Sequence, residues 1–457
     1  MRRVVRGAGP RLRVLVASSP QRNQRDGVPH VNKVNSGAII SLFSGALGLD
    51  LGLERAGFRL SLALEINEAA INTIKLNRPT LPLITRTIKR TSTKEILSKA
   101  GLKPGDVTIV SAGPCCQSFS TAGKRLSVSD TEAGGTLFRS FCRIVLEARP
   151  RFFVMENVKG VLSAAVKHRP LDKRGAGFPP LTKQELLGSA LKLILRELAR
   201  LDYYVVFGLL NAADYGVPQK RWRVIFIGSR DGEDIWLPPP THRDPSSDKP
   251  DRLSRWVTLR QGLDGVRPKD WYEFSEERLK FLRRLEPGQN WRDLPRKLQS
   301  RALGAAFRSW GGRTGFCRRL SWDDPCPTLT TAPDGRATTL CHPTEDRPLS
   351  VEEYAELQQF PRKWRFSGSV RQKYIQIGNA VPLGLGDAIG QMLRKTMKLT
   401  ARRGLNHANY ARRGTVVCGD PALEERLRKK KKTQLHPPRL RKNPDPKATR
   451  KWLEASA

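Results

Sequence analysis

Short apolar runs alternate with helical patterns over the first half of the chain. The apolar runs are rich in β-branched and aromatic residues and are bounded by turn residues, which is typical of buried strands. They lie at residues 38–43, 107–112, 152–155, 204–209 and 224–227. Helical periodicity follows several of them, at residues 46–56, 69–76 and 137–147. Strands that alternate with helices predict an α/β fold with a doubly wound, mainly parallel sheet.

The pattern changes at Pro238-Pro239-Pro240. From there to residue 316 the chain is charged, has tryptophans at positions 256, 271, 291 and 310, and shows no alternation of strands and helices. We therefore expect residues 37–237 to form the first domain and residues 238–316 a second, smaller one. Regular elements resume near Leu320, and a last helix is predicted at residues 383–398. Residues 317–398 are expected to return to the first domain.

Both ends of the chain are polar, basic and without periodicity. Residues 1–36 contain eight Lys and Arg against one acidic residue, and residues 401–457 contain sixteen against five. Such segments bury too little apolar surface to fold alone. We expect a flexible basic arm at residues 1–36 and a flexible basic tail at residues 399–457.

The formal net charge of +39 is the strongest feature of the composition. More than half of this surplus lies on residues 37–400, outside the two basic ends. A surplus of this size predicts a polyanionic partner, most simply nucleic acid held through its phosphates. The alternative is that a GC-rich genome raises the Arg content of every protein it encodes. We favour nucleic-acid binding by the folded core, assisted by the two ends.

The seven cysteines, at positions 115, 116, 142, 317, 326, 341 and 418, form no regular framework and include no Cys-x-x-Cys. Free thiols in a reducing compartment are therefore expected, with no zinc ribbon and no bound metal. No apolar run is long enough for a membrane span or a signal-peptide core. The sequence predicts a soluble, cytoplasmic protein without a membrane partner.

A glycine turn follows the first predicted strand. Gly45, Gly48 and Gly52 open the first helix, and Glu65 follows Gly45 by twenty residues, at the end of a second apolar run. Glycines let the backbone approach a ligand, and an acid at that place can hold ribose hydroxyls, which favours an adenosine-containing ligand. The spacing differs from the dinucleotide fingerprint, so a nicotinamide cofactor is disfavoured. A purely structural strand-to-helix turn is the alternative.

Two adjacent thiols, Cys115 and Cys116, lie in the loop that leaves the strand predicted at residues 107–112. Open α/β sheets place their ligands at this end of the strands. Most cysteines are inert packing residues, but the residues on both sides of this pair are loop formers. A thiol in such a loop is a candidate nucleophile.

Residues 113–120, Gly-Pro-Cys-Cys-Gln-Ser-Phe-Ser, resemble the Gly-Pro-Pro-Cys-Gln-x-Phe-Ser loop of the cytosine carbon-5 DNA methyltransferases. Cys116 takes the nucleophile position, and Cys115 replaces the second proline. The resemblance spans about residues 37–395. Five further blocks come in the family's order: Phe43-Ser44-Gly45 with Gly48 and Glu65, Glu156-Asn157-Val158, Gln219-Lys220-Arg221-Trp222-Arg223, Leu357-Gln358-Gln359-Phe360-Pro361, and Gly378-Asn379-Ala380-Val381-Pro382.

The resemblance implies a Rossmann-like fold and a defined chemistry. The Cys116 thiolate would add to C6 of a cytosine flipped out of duplex DNA, and Glu156 would protonate N3. Arg223 would hold the cytosine O2, and Arg221 would lie near Cys116 and favour its thiolate. The methyl group of S-adenosylmethionine would pass to C5. Residues 123–135 would form a mobile loop that closes on DNA.

The resemblance also implies a cofactor site and a DNA-reading region. Thr87-Ile88 stands where the family usually has Asp-Ile for adenine recognition. Residues 238–316 occupy the place of the family's target recognition domain, and one short DNA site is expected. The residues implied to bind S-adenosylmethionine are Phe43, Ser44, Gly45, Gly48, Glu65, Ile66, Pro114, Asn379 and Ala380.

Two other functions remain open. The branch of the family that methylates transfer RNA carries a Cys-Phe-Thr signature, where this chain has Gly315-Phe316-Cys317-Arg318. A DNA-binding relative that has lost catalysis is the second. The compact chain resembles the prokaryotic modification methylases, so we expect a monomer that works beside a restriction endonuclease encoded nearby, or else an orphan DNA methylase.

Overall fold

The computed structural model describes residues 37–114, 134–170, 173–175, 177–246, 252–304, 307, 317–335, 339–403 and 411–435. Several sequence predictions lie outside these residues. They are the basic arm at 1–36, the thiols Cys115 and Cys116, most of the loop predicted at 123–135, and the tail beyond residue 435.

The described residues form fourteen strands and twelve α-helices, which alternate most regularly in the first half of the chain. The strands are β1 Ala38–Leu42, β2 Arg59–Leu64, β3 Leu83–Ile84, β4 Ile109–Ala112, β5 Phe152–Val158, β6 Tyr204–Asn211, β7 Gln219–Lys220, β8 Trp222–Ser229, β9 His242–Arg243, β10 Ser254–Arg255, β11 Arg318–Arg319, β12 Cys326–Pro327, β13 Leu340–Cys341 and β14 Val416–Cys418. The α-helices are α1 Gly48–Arg55, α2 Glu68–Asn77, α3 Thr93–Ala100, α4 Gly134–Ala148, α5 Ser189–Ala199, α6 Leu259–Gly262, α7 Glu276–Leu282, α8 Arg296–Leu303, α9 Val351–Leu357, α10 Val370–Asn379, α11 Leu383–Arg403 and α12 Pro421–Leu435. The strands and helices predicted before residue 230 are confirmed, with ends that differ by at most three residues.

Eight of these strands form one sheet in the order β14-β6-β8-β5-β4-β1-β2-β3. Neighbouring strands run parallel, except that β8 is antiparallel to both β5 and β6. β1 lies between β4 and β2, so the order of the chain reverses at the β1–β4 pair. The prediction of a doubly wound, mainly parallel sheet is confirmed. Such a reversal leaves a crevice at the carboxyl ends of the two strands, where folds of this class bind ligands.

Alternate residues of each strand face opposite sides of the sheet. One set, which includes Ile39 and Val154, joins the apolar core beneath α1 and α11. The other set, which includes Ile40 and Phe153, joins the core beneath α4 and α5. Because both faces are covered by helices, the strands read in the sequence as continuous apolar runs.

Helix α1 lies in close contact with α11. A Cβ atom added to Gly52 would come within 2.4 Å of the Leu383 carbonyl oxygen. A Cβ at Gly48 would meet the Val381 carbonyl oxygen at the same distance, 2.4 Å. Only glycine permits such an approach. The segment that precedes α11 is therefore held against the start of α1.

A separate apolar core lies in the second half of the chain. The bounds of the smaller domain at residues 238–316, its role in target recognition and the return of residues 317–398 stay predictions. The buried residues of this core come from α7, α8, the segments beside them, the residue just before β11, and β13: Phe274, Leu279, Leu282, Leu285, Trp291, Leu294, Leu303, Cys317 and Cys341.

The predicted flexible tail at residues 399–457 needs a correction over residues 411–435. Helix α11 continues to Arg403, and β14 pairs in parallel with β6, with Val416 opposite Val205. Helix α12 follows, and its Leu423 is buried. The apolar run of β14 is only three residues long. Because it stands among basic residues, neither its length nor its surroundings distinguished it from a solvated tail.

Candidate active site

The carboxyl ends of four strands meet at one edge of the sheet. β1 ends just before Phe43, β2 just before Glu65 and β4 just before Gly113, while Glu156 lies near the end of β5. These strands are parallel neighbours, so their ends lie side by side. The structure thus brings together the site residues that the sequence predicted on four separate segments.

The turn after β1 is fixed to the end of β2. Phe43 has φ 57°, a left-handed conformation that is rare for a residue with a side chain, and Gly45 has φ 51°. The Ser44 amide donates to the Leu64 carbonyl oxygen at 3.2 Å, and the Leu64 amide donates to Ser44 Oγ at 3.1 Å. These bonds hold the two strand ends together directly below the turn.

The Glu65 carboxylate orders this turn from the other side. Its Oε2 accepts a hydrogen bond from the Gly45 amide at 2.7 Å. Its Oε1 accepts from the amides of Ile66 and Asn67 at 2.7 and 2.8 Å. A carboxylate offers about four acceptor positions. The three backbone bonds therefore leave room for one further donor, such as a ribose hydroxyl.

Open space adjoins the glycine turn. A Cβ atom added to Gly45 would meet no other described heavy atom within 4 Å. The Ile66 side chain, at the end of β2, is 64% exposed. At the end of α10 the Asn379 side chain is exposed, and the next residue, Ala380, lies against Gly48. The predicted cofactor residues of β1, β2 and α10 therefore surround the start of α1.

Thr87 follows β3 at the same edge of the sheet. Its Oγ1 accepts from the Lys89 amide at 3.4 Å and caps the short 3₁₀ helix Ile88–Arg90. A hydroxyl that accepts one bond still has its own hydrogen to donate. The Thr87 hydroxyl therefore remains able to donate, and its place in adenine recognition stays a prediction.

Glu156 and Arg223 form an ion pair at the mouth of the crevice. In the β5–β8 ladder Arg223 lies opposite Val158, two residues from Glu156, so both side chains lie on the same face. Arg223 Nε lies 2.6 Å from Glu156 Oε1. The other carboxylate oxygen, Oε2, faces Gly113, where a Cβ atom would come within 3.4 Å of it. Glu156 therefore lies beside the start of the loop that carries Cys116.

The pKa of Glu156 is raised above its ordinary value. Burial is the largest cause, because a desolvated carboxylate is costly. The charges of Arg223 and Arg221 act in the opposite direction and lower the pKa, but they do not cancel the effect of burial. Glu156 therefore holds a proton at a higher pH than an exposed glutamate does.

Arg221 is buried and ties two distant segments together. Its Nη1 donates to the Leu329 carbonyl oxygen at 3.0 Å, and its Nη2 donates to the Gly378 carbonyl oxygen at 2.6 Å. The structure thus gives Arg221 contacts that position the segment before α11. Its predicted proximity to Cys116 lies outside the described residues and stays a prediction.

Gln219 and Gln358 belong to the same buried network. Gln219 Nε2 donates to Gln358 Oε1 at 3.2 Å, and Gln219 Oε1 accepts from the Leu329 amide at 3.1 Å. Gln358 Nε2 donates to the carbonyl oxygens of Ile377 and Ala380 at 2.7 and 3.3 Å. Neither glutamine was a predicted site residue. Their presence in two of the family blocks was the only signal.

The described part of the chain offers neither a cluster of metal ligands nor a membrane-spanning helix. There, no group of three or more His, Cys, Asp or Glu side chains is placed to hold a metal ion. No described helix combines the length and the apolar character needed to cross a bilayer.

Comparison with solved structures supports the class of fold. The crystal structure of an E. coli prophage protein described as a DNA modification methyltransferase matches with a TM-score of 0.53 and 24% identity. The match covers 79% of this chain and 100% of that one. The architecture is a Rossmann-like fold.

Comparison of sequences shows the family. The model of the C-5 cytosine-specific DNA methylases matches residues 37–395, and the chain belongs to that family. The Type II methyltransferase M.Sau96I of Staphylococcus aureus is 35% identical, over 80% of this chain and 77% of its own. The Type II methyltransferase M.Eco47II of Escherichia coli is also 35% identical, over 77% and 78%. The protein is thus an S-adenosylmethionine-dependent DNA cytosine C5-methyltransferase, and the DNA enzyme is supported over the transfer RNA enzyme and the inactive relative.

Proposed function

We propose that the enzyme methylates a cytosine flipped out of duplex DNA, with Cys116 as nucleophile, Glu156 as proton donor and Arg223 as the residue that holds O2. One observation carries this proposal. The Glu156–Arg223 pair lies at the carboxyl edge of the sheet, and Glu156 Oε2 faces Gly113, three residues before Cys116.

The reaction needs a nucleophile from the enzyme because C5 of cytosine is itself too weak a nucleophile to attack a methyl group directly. When the Cys116 sulfur bonds to C6, the ring electrons shift toward N3, and N3 takes a proton from Glu156. S-adenosylmethionine supplies an electrophilic methyl group for C5. A base then removes the C5 proton, the C6–S bond breaks, N3 returns its proton to Glu156, and the thiolate and the aromatic ring are restored.

Glu156 suits the role of proton donor. Its raised pKa keeps the carboxyl protonated closer to neutral pH than usual. Arg223 is fixed beside it, since its Nη1 donates to the Trp222 carbonyl oxygen at 2.8 Å. A fixed guanidinium can stabilise negative charge at O2 without reorganisation in the transition state.

The residues around the glycine turn fit S-adenosylmethionine. Glu65 has one acceptor position left for a ribose hydroxyl. Exposed Ile66 offers an apolar surface for adenine, and the space beside Gly45 is open. Phe43, Ser44, Gly48, Pro114 and Ala380 would shape the site, and Asn379 would contribute its exposed amide.

Duplex DNA is the proposed partner because the site is flanked by lysines that lie over tryptophan rings. Trp222 is 40% exposed and lies next to Arg223 on β8. Lys159 Nζ lies 5.5 Å from the centre of the Trp222 ring, and Lys220 Nζ lies 5.1 Å from that of Trp256. Ammonium groups and aromatic rings at a crevice suit phosphates and unstacked bases.

The cellular role is proposed from the relatives. Both compared relatives are named as Type II methyltransferases, so we propose that this enzyme works as a cytoplasmic monomer in restriction-modification. Its partner would be an endonuclease encoded nearby. The absence of a nuclease gene beside its own gene would favour orphan methylation instead.

The nucleophile can be tested with two neighbouring cysteines that serve as target and control. Cys116→Ser should abolish methyl transfer to duplex DNA, whereas Cys115→Ser should keep measurable activity. On a duplex with 5-fluorocytosine the fluorine cannot leave as a proton, so the enzyme should remain covalently bound through Cys116 on a denaturing gel. Methyl transfer by Cys116→Ser would reassign the nucleophile. Bisulfite sequencing of DNA from expressing cells would then identify the target site.

A further inference from the structure

Asp50 joins the two central strands of the sheet through a single buried carboxylate. Its side chain lies in the first turn of α1 and is 2% exposed. Asp50 Oδ2 accepts from Ser41 Oγ at 2.7 Å, and Oδ1 accepts from Ser111 Oγ at 2.5 Å. Ser41 of β1 and Ser111 of β4 lie directly opposite each other in the parallel ladder. The carboxylate therefore spans the pair of strands at which the order of the chain reverses.

The two serines lie on the strands that lead into the two segments that the proposed reaction needs. Ser41 precedes the glycine turn at Gly45 by four residues, and Ser111 precedes Cys116 by five. A shift of β1 relative to β4 would therefore change the distance between the cofactor turn and the loop that carries the thiol. Misplacement of reacting groups by about 1 Å can cost about a hundredfold in rate.

The contacts of Asp50 extend beyond its own helix. An acid in the first turn can cap the helix start and benefits from the helix dipole. Leu47, at the start of α1, has no side-chain cap, and the Asp50 carboxylate, which also accepts from its own backbone amide, reaches across to the two strands. The helix thus carries the carboxylate to the strands.

The charged, buried carboxylate also lowers the free energy of unfolding near neutral pH. Burial raises the pKa of Asp50 to about 6, although the hydrogen bonds from Ser111 and Ser41 act in the opposite direction. The like charge of Glu54, one turn further along α1, raises it further. A buried carboxylate that lowers stability at neutral pH is typical of a position held for function.

We propose that Asp50 is a positioning residue that fixes β1 against β4, so that the cofactor turn and the Cys116 loop stay at the distance that methyl transfer requires. This inference rests on the proposed role of Cys116. It assigns Asp50 no contact with the substrate or the cofactor.

The test compares three kinds of variant by single-turnover methyl transfer, calorimetric S-adenosylmethionine binding and thermal unfolding. Asp50→Ala removes the bridge and should slow transfer by about tenfold or more. Asp50→Asn can still accept from one serine and donate to the other, so it should restore the rate to within about threefold of the wild type. It should also melt at a higher temperature at pH 7.5, because the unfavourable buried charge is gone.

Glu54→Gln is the matched control. Glu54 also lies on α1, but it binds the Leu60 amide and Arg78 rather than the central strands, so the rate should not change. If Asp50→Ala does not fold, Ser41→Ala and Ser111→Ala replace it, and each should slow transfer. A wild-type rate in folded Asp50→Ala or in the serine variants that replace it, or an equal loss in Glu54→Gln, would overturn the inference.

Failure of the proposed role of Asp50 can be distinguished from failure of the proposed nucleophile Cys116. If Cys116→Ser transfers methyl groups, the nucleophile assignment fails, whereas the role of Asp50 would still be read from the rates and cofactor affinities of its own variants. If Cys116→Ser is inactive and Asp50→Ala is fully active, only the role of Asp50 fails.

Discussion

Arg223 Nε lies 2.6 Å from Glu156 Oε1, and the two side chains are only 10% and 12% exposed. The arginine lowers the pKa of the glutamate, and burial raises it by more. The carboxyl can therefore hold a proton, and the guanidinium beside it can stabilise negative charge that develops on a substrate. Such opposed influences on one titratable group are common in active sites.

Replacing Glu156 with glutamine should remove the proton donor while keeping its shape. We expect single-turnover methyl transfer to fall by about a hundredfold to ten thousandfold, with S-adenosylmethionine affinity unchanged. In the wild type only the protonated carboxyl can donate, so the rate should fall as pH rises through the raised pKa of Glu156. This dependence should be absent from the residual rate of Glu156→Gln. Glu147→Gln, on the exposed side of α4, should behave as the wild type.

Two glycines of the same segment should respond differently to alanine, one mainly in cofactor binding and the other mainly in stability. Gly45→Ala places a methyl group in open space at φ 51°, so it should cost only about 1 kcal/mol in stability but weaken cofactor binding. Gly52→Ala would bring a Cβ within 2.4 Å of the Leu383 carbonyl oxygen and force α1 away from α11. It should cost about 1–3 kcal/mol or more in stability. Thermal unfolding and calorimetry separate the two effects, and an unchanged melting temperature for Gly52→Ala would contradict the close helix contact.

The sequence was sufficient for those parts of the fold that depend on local pattern. Continuous apolar runs marked strands buried on both faces, and the spacing of Gly45 and Glu65 marked the ends of β1 and β2. The position of Glu65 was predictable because the carboxyl ends of neighbouring parallel strands must meet at one edge. These inferences needed no knowledge of the distant parts of the chain.

The remaining features depend on which distant segments become neighbours. Gln219 contacts Gln358 across 139 positions, and Asp50 contacts Ser111 across 61. One sequence gives the residue types but not these pairings. Strand β14 was not predicted for a related reason. Its three apolar residues form a strand only because they pair with the edge of the distant strand β6.

Gln358→Leu should test the buried network that joins the C-terminal segments to β7. The substitution removes the bonds to Ile377 and Ala380 and leaves Gln219 Nε2 without its acceptor. Buried polar groups that lose their partners cost about 1–3 kcal/mol each, so the free energy of unfolding should fall by about that amount or more. Urea unfolding measures the change. Gln391→Leu, on the exposed side of α11, should stay within about 0.5 kcal/mol of the wild type, and equal effects at both sites would argue against the network.

Trp222 and Lys159 should contribute to DNA binding without affecting the cofactor. Trp222 is exposed between two buried arginines, and Lys159 lies over its ring. If an unstacked base packs on this ring, Trp222→Ala should weaken duplex binding by about 1–3 kcal/mol, and Trp222→Phe should retain most of the affinity because it keeps an aromatic face. Equal losses in Trp222→Ala and Trp222→Phe would show that stacking is not the reason.

Lys159→Ala distinguishes a phosphate contact from a purely intramolecular one. The loss of one phosphate contact should reduce the slope of log affinity against log salt concentration by about one. Lys99 is the matched control, because it lies near the end of α3, toward the opposite edge of the sheet, where β4 begins. Fluorescence anisotropy over a salt series gives both slopes. If Lys159→Ala and Lys99→Ala give the wild-type slope, Lys159 only packs on Trp222, and the phosphate contacts lie elsewhere on the basic surface.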